Sequence, residues 1–273
     1  MYGIKKQKRS MGSTEVLSAL GMTLIAGMST GVGSMIAFLA KKTDARFLSV
    51  SLGLSAGVML YVSFMELMPE AVTQLRELYQ HRQAELYMLL SFFLGIGLIA
   101  LIDYLVPEDE NPHEVHGQEP LCQSNRLKRT GIMMALAIGI HNFPEGLATF
   151  SAALTHSEIA IPIVFAIALH NIPEGMAVSV PIYHATGDRK RAFWLSFLSG
   201  MAEPLGALLG FMFLLPFWSP IVNALLLAFV SGIMVYISFD ELLPGTERYG
   251  YHHYGVCGVV LGMAIMAVSL LVL

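Results

Sequence analysis

Eight stretches of about twenty residues, almost free of charge, follow one another along the chain, at about 16–40, 47–66, 86–106, 131–153, 159–183, 192–218, 221–243 and 254–273. A hydrocarbon layer about 30 Å thick needs that many helical residues to cross it, and backbone groups in lipid must be satisfied within the crossing segment. The chain is therefore expected to be an all-α membrane protein. Its eight transmembrane helices form a single domain over 16–273, preceded by an N-terminal segment, 1–15. With 55% hydrophobic and 13% charged residues among 273, the apolar surface is too large for one water-soluble core. The net charge of −4 gives nucleic acid no footing. Cys122 and Cys257, the two cysteines, make no thiolate metal cluster and predict no disulfide. The first stretch, Val16 to Ala40, is longer than a signal-peptide core and has no evident cleavage site, so it reads as a retained span.

Short loops make neighbouring spans antiparallel, so the cationic residues sort by side. Loops 1, 3, 5 and 7 hold ten, namely Lys41, Lys42, Arg46, Arg126, Lys128, Arg129, Arg189, Lys190, Arg191 and Arg248, whereas loops 2, 4 and 6 hold only Arg76 and Arg82. The positive-inside rule then puts the odd loops in the cytoplasm and both termini outside. Lys5, Lys6, Lys8 and Arg9 argue the other way and are outvoted by the later loops. The polar loop 107–130, with His113 and His116, reads as a cytoplasmic linker.

Two internal repeats organise the spans. Ala56–Pro69 matches Ser231–Pro244 at an offset of 175, with eight of fourteen residues identical. Span 2 and span 7 run in opposite directions, so this repeat is inverted. A weaker echo at an offset of 173 pairs Gly27 with Gly200, Gly33 with Gly206 and Phe38 with Phe211. Spans 1–3 and 6–8 thus flank a central pair in a 3+2+3 arrangement, the inverted repeat common in secondary transporters with a midplane site.

The central pair is itself duplicated, as His141-Asn142-Phe143-Pro144-Glu145-Gly146 and His170-Asn171-Ile172-Pro173-Glu174-Gly175. In each copy His and Glu stand at i and i+4, stacked on one helix face, with Asn beside the His. Each proline lacks an amide and releases a carbonyl, at Ile140 and Leu169, at the same depth. Ionisable groups inside a span are costly and need a partner. Two His and two Glu make an N2O2 set that Zn(II), Fe(II), Co(II), Mn(II) or Cd(II) accepts. Asn142 and Asn171, with Glu203 of span 6 and bridging Glu145 and Glu174, make an adjacent, oxygen-rich position. Glu203 has Thr30 as its counterpart in the span 1 echo. Interhelical polar glue and an intramembrane zinc-dependent hydrolase are the competing readings. A duplicated set plus Glu203 exceeds what glue requires, and the His is followed by Asn rather than by the Glu of a His-Glu-x-x-His hydrolase. Met59 is a candidate thioether ligand, and Glu66 and Glu241 are candidate mouth carboxylates.

HNFPEG, HNIPEG, the His-containing loop before span 4 and Ser199-Gly-Met-Ala-Glu-Pro-Leu-Gly206 together resemble the ZIP (Zrt/Irt-like) metal transporters, in particular the bacterial zinc-uptake (ZupT) type. The resemblance spans nearly the whole chain and implies uptake of zinc, and often iron, manganese, cobalt or cadmium, across the cytoplasmic membrane. It implies no enzyme activity and no cofactor beyond the transported ion. Divalent metal ions and the lipid bilayer are the implied partners, with a homodimer also in view. By this resemblance His141, Glu145, His170 and Glu174 match one metal position. Asn142, Glu145, Asn171, Glu174 and Glu203 match the second. It further implies that spans 1, 4, 5 and 6 slide as a block against spans 2, 3, 7 and 8.

Overall fold

The two Ser-Phe-x-Glu-Leu strings of the 175-residue repeat fold into the same uncommon turn. Ser63–Leu67 and Ser238–Leu242 are both π-helical, with the Met68 amide donating to the Ser63 carbonyl and the Leu243 amide to the Ser238 carbonyl, each across five residues. A computed structural model describes these segments within residues 13–39, 45–105, 135–136, 138–140, 142–147, 149–150, 153–154, 157–214, 217, 219–248 and 250–272.

Helices α1 (Ser13–Leu39), α2 (Ala45–Val62), α3 (Met68–Arg76) and α4 (His81–Leu105) come first. Residues 142–147 are helical as well. They are followed by α5 (Ser157–Thr186), α6 (Arg189–Gly200), α7 (Ala202–Leu214), α8 (Pro220–Ile237), α9 (Leu243–Arg248) and α10 (His252–Val272). Among the described residues there is no strand, and six helical runs are long and apolar enough to cross a membrane: Val16–Phe38, Ala45–Arg76, His81–Tyr104, Arg189–Phe213, Pro220–Glu247 and His252–Leu271. The chain is thus a multi-pass, all-α membrane protein. The other two expected spans fall on 131–153, described only in part, and on α5, a helix of 30 residues. The N-terminal basic residues and the 107–130 loop, with His113 and His116, lie outside the described residues.

Two spans run further than the hydropathy pattern predicts. Glu66 and Glu241 do not close their helices; they sit inside the π turns, and helix continues to Arg76 and Arg248. Pro69 and Pro244 fall in the first turn of α3 and α9, where a missing amide costs least, and the wide turn before each lets the chain pass it. The opposite departure occurs in span 6, which is divided at Met201 into α6 and α7. α5, by contrast, is one helix straight through Pro173. Local signals set the ends: Asp188 Oδ1 caps α6 by accepting from the Lys190 and Arg191 amides at 2.9 and 3.1 Å, and Gly187, at φ 67°, closes α5.

Side chains on α4 such as Leu90, Phe93, Leu94 and Tyr104 are 60 to 84% exposed, an outer surface suited to lipid rather than water. Inside, α2, α8 and α10 share an apolar core with Leu52, Met59, Val62, Ile233 and Met234. Met59 belongs to that core, where it is fully buried.

Glycines set which backbones approach each other. A Cβ on Gly57 would collide with the Val259 carbonyl of α10, and one on Gly262 with the Leu54 carbonyl of α2. Gly95 and Gly232 join α4 and α8 in the same reciprocal way, through the carbonyls of Phe229 and Phe92. Elsewhere Gly33 and Gly175 join α1 to α5, Gly27 and Gly200 join α1 to α6, and Gly146 and Gly206 join 142–147 to α7. Among the described glycines, every backbone that such a Cβ would strike stays within one of two sets: α2, α4, α8, α9 and α10, or α1, α5, α6, α7 and residues 135–150. Small residues at helix crossings are the usual means of close packing in lipid, where no hydrophobic force drives helices together.

Candidate metal centre

Six of the seven candidate ligands are described, and all six are buried: Asn142, His170, Asn171, Glu174 and Glu203 at 0% exposure, and Glu145 at 1%. His141 lies outside the described residues. Three elements of the second glycine set supply these six groups: Asn142 and Glu145 come from 142–147, His170, Asn171 and Glu174 from α5, and Glu203 from the first turn of α7. Gly146 and Gly206 let 142–147 lie directly on α7, and Gly33 and Gly175 let α1 lie on α5, which brings the backbones that carry these side chains close together.

The contacts link the motifs to one another. His170 Nε2 stands 3.3 Å from Glu145 Oε2, joining the two hexapeptides. Asn171 Nδ2 donates to Glu203 Oε1 at 3.0 Å and to the Ala26 carbonyl at 3.1 Å. Asn142 Nδ2 donates to the Ser199 carbonyl at 3.3 Å. Glu203 lies within electrostatic range of both Glu145 and Glu174. Among the described residues no three of His, Cys, Asp and Glu are gathered tightly enough to hold an ion by themselves. What is gathered are pairs, Glu145 with His170 and Glu203 with Asn171, from converging helices.

Serines that the sequence reading did not single out complete the surroundings. Ser55 of α2 is placed to donate to Glu174 Oε1 at 3.4 Å and to the His170 carbonyl at 3.3 Å, reaching the centre from the other glycine set. Ser196 donates to the Gly175 carbonyl at 3.1 Å. The available signal was the run of Ser49, Ser51 and Ser55 on a mostly apolar helix, which spacing alone does not distinguish from packing. Met59 stays with the apolar core, and Glu66 and Glu241 belong to the π turns.

The donor set fits a cation. Glu145 Oε1, Glu203 Oε2, Asn142 Oδ1 and Asn171 Oδ1 are buried with no hydrogen-bond partner among the described residues. Buried oxygens without donors are costly, and several carboxylates held together in a dry interior repel one another. A divalent ion would relieve both costs at once.

Residues 104–270 match the family model described as "ZIP Zinc transporter". Over 268 residues the chain is 57% identical to a protein of Nitratidesulfovibrio vulgaris named zinc transporter ZupT, with 94% of this chain and 97% of that protein covered. Proteins of the same name from Streptococcus mutans, 56% identical over 95% of this chain and 98% of theirs, and from Akkermansia muciniphila, 52% identical over 96% and 99%, are similar along their whole length. On this sequence similarity the chain belongs to the ZIP zinc transporter family, a family of transporters and not of enzymes.

Proposed function

We propose that the chain takes up divalent metal, zinc foremost and iron, manganese, cobalt or cadmium as further cargo, across the cytoplasmic membrane of a bacterium. The observation that carries this reading is the burial of Glu145, Glu174, Glu203 and His170 among apolar helices, with Glu145 Oε1 and Glu203 Oε2 lacking a hydrogen-bond partner among the described residues. The names of the relatives point to the same cargo. The ion is bound by His141, Glu145, His170 and Glu174 at one position, and by Asn142, Asn171 and Glu203, with Glu145 and Glu174 bridging, at a second. Three carboxylates against two dications leave about one net positive charge, far cheaper in hydrocarbon than the ions or the acids alone.

Eight spans cross the bilayer in this reading, the six apolar runs together with α5 and the segment containing 142–147. At 1.5 Å per residue, the 30 residues of α5 extend about 45 Å, enough to cross with tilt. The cationic loops favour both termini outside. Spans 1–3 and 6–8 are inverted repeats, supported by the π turns 175 residues apart and by the paired glycine crossings. Access alternates by sliding of the site-bearing set, α1, 142–147, α5, α6 and α7, against α2, α4, α8 and α10. Glycine crossings lock helices within each set, while the α2–α5 boundary between them is bridged by apolar side chains and Ser55.

Purified protein in liposomes is expected to pass Zn(II) down its gradient, read by a zinc-sensitive dye inside. Glu145→Ala and Glu174→Ala are expected to abolish that flux while the protein still elutes as a folded species. Normal flux in both variants would sink the assignment.

A further inference from the structure

The two halves of the polar centre correspond residue by residue. Gly146 abuts the Glu203 carbonyl as Gly175 abuts that of Thr30, and Gly206 abuts the Phe143 carbonyl as Gly33 abuts that of Ile172. Asn142 Nδ2 donates to the Ser199 carbonyl at 3.3 Å, as Asn171 Nδ2 does to the Ala26 carbonyl at 3.1 Å. Gly27 and Gly200 abut each other's carbonyls, which puts the symmetry axis between them. One operation accounts for all of these contacts, with an offset of 29 residues between the motifs and 173 between α1 and α6–α7. Applied to the Asn171–Glu203 hydrogen bond of 3.0 Å, it leads to Asn142 and Thr30.

At that place the carboxylate is replaced by a hydroxyl. Thr30 is fully buried, and Thr30 Oγ1 and Asn142 Oδ1 each lack a hydrogen-bond partner among the described residues. A threonine hydroxyl in a helix ordinarily bonds back to a carbonyl of the preceding turn, as Thr149 Oγ1 does to the Glu145 carbonyl at 2.9 Å. Thr30 forgoes that bond at the cost of an unpaired buried oxygen. Thr30 Oγ1 lies instead against Gly200 of α6, next to Ser199, whose carbonyl accepts from Asn142.

We propose that Thr30 is a further metal-facing residue, the uncharged counterpart of Glu203, and that Thr30 Oγ1 and Asn142 Oδ1 form the neutral half of the oxygen-rich position. This rests on the metal site proposed above. The hydroxyl adds an oxygen donor without adding a fourth carboxylate, so the site holds its ions without the extra attraction that would slow their release.

Equilibrium zinc binding to the purified full-length protein, with thermal melting alongside, tests it. Thr30→Val is isosteric and removes only the unpaired hydroxyl, so its melting temperature should equal or exceed that of the native protein. Its zinc affinity at the second, oxygen-rich position should fall about tenfold, an effect of the size expected for losing one donor to a charged group. Thr30→Ser should bind as the native protein does. Glu203→Thr should lose the ion of the second position, and Glu203→Thr combined with Thr30→Glu should regain it. Unchanged zinc binding in Thr30→Val would overturn the proposal, as would equal losses of binding and melting temperature in Thr30→Val and Thr30→Ser. Native protein that binds no zinc, or keeps all of it in Glu174→Ala, would instead overturn the site itself.

Discussion

Asn171 shows how a neutral side chain can govern a charged one. Its amide spans Glu203 Oε1 and the Ala26 carbonyl, so it fixes the carboxylate relative to α1 while its own Oδ1 has no donor among the described residues. Asn171→Ala is expected to leave Glu203 buried without that donor and to weaken zinc binding about tenfold, because one hydrogen bond to a charged group is worth about 1.5–3 kcal/mol. Isothermal titration of the variant checks this, and Asn171→Asp should not restore the native affinity, since a carboxylate cannot donate to Glu203. At this scale most of the centre was legible in the sequence. A His-Asn-x-Pro-Glu-Gly string written twice puts its ionisable groups on one helix face by periodicity alone, and the burial of Glu145, His170 and Glu174 follows from the apolar residues around them. Ser55 was not legible, because a serine on an apolar helix has the same spacing whether it packs or donates to Glu174.

Helices in this protein are matched by what they lack. Gly175 and Gly33 remove the side chains that would hold α1 away from α5, the helix whose His170 meets Glu145. Gly175→Ala would press its methyl into the Thr30 carbonyl and should cost about 1–3 kcal/mol, the usual penalty of overpacking, seen as a lower melting temperature. Gly21→Ala, at a position with nothing within 4 Å, should leave melting unchanged or raise it and serves as the control. The repeat that pairs Ser63–Leu67 with Ser238–Leu242 was visible as sequence identity, but the shared π turn was not, since a five-residue hydrogen bond leaves no signature in hydropathy. For the same reason the reading ended spans at Glu66 and Leu243, where Met-Pro and Leu-Pro look like helix stops, although the turn before each proline carries the helix onward. Ser231 Oγ, donating to the Ser63 carbonyl at 3.1 Å, secures one of these turns from α8. Ser231→Ala should lower stability by about 1 kcal/mol in a denaturation midpoint, the net worth of a neutral hydrogen bond.

Across the whole molecule, glycine crossings among the described residues stay within two sets, and α2 meets α5 between them through apolar side chains, the surface along which the proposed sliding would run. Leu48 of α2 and Val180 of α5 share one small apolar cluster on that surface. With Cys122 and Cys257 replaced by serine, a reversible thiol cross-link between Leu48→Cys and Val180→Cys should stop zinc flux, and reduction should restore it. Full flux in the cross-linked protein would contradict sliding. The overall class was readable because lipid imposes length and polarity on every crossing segment, whereas the division into two sets, which the resemblance implied, could not be read from the residues themselves, since it depends on which glycines face which backbone. The proposed metal centre lies buried between 142–147, α5 and α7. Anomalous diffraction at the zinc edge from zinc-loaded crystals tests it most directly. The prediction is a peak about 2.0–2.2 Å from oxygen or nitrogen atoms of Glu145, His170 and Glu174, with a second peak beside Glu203. Zinc peaks confined to the loops or the π turns, with none at this centre, would contradict it.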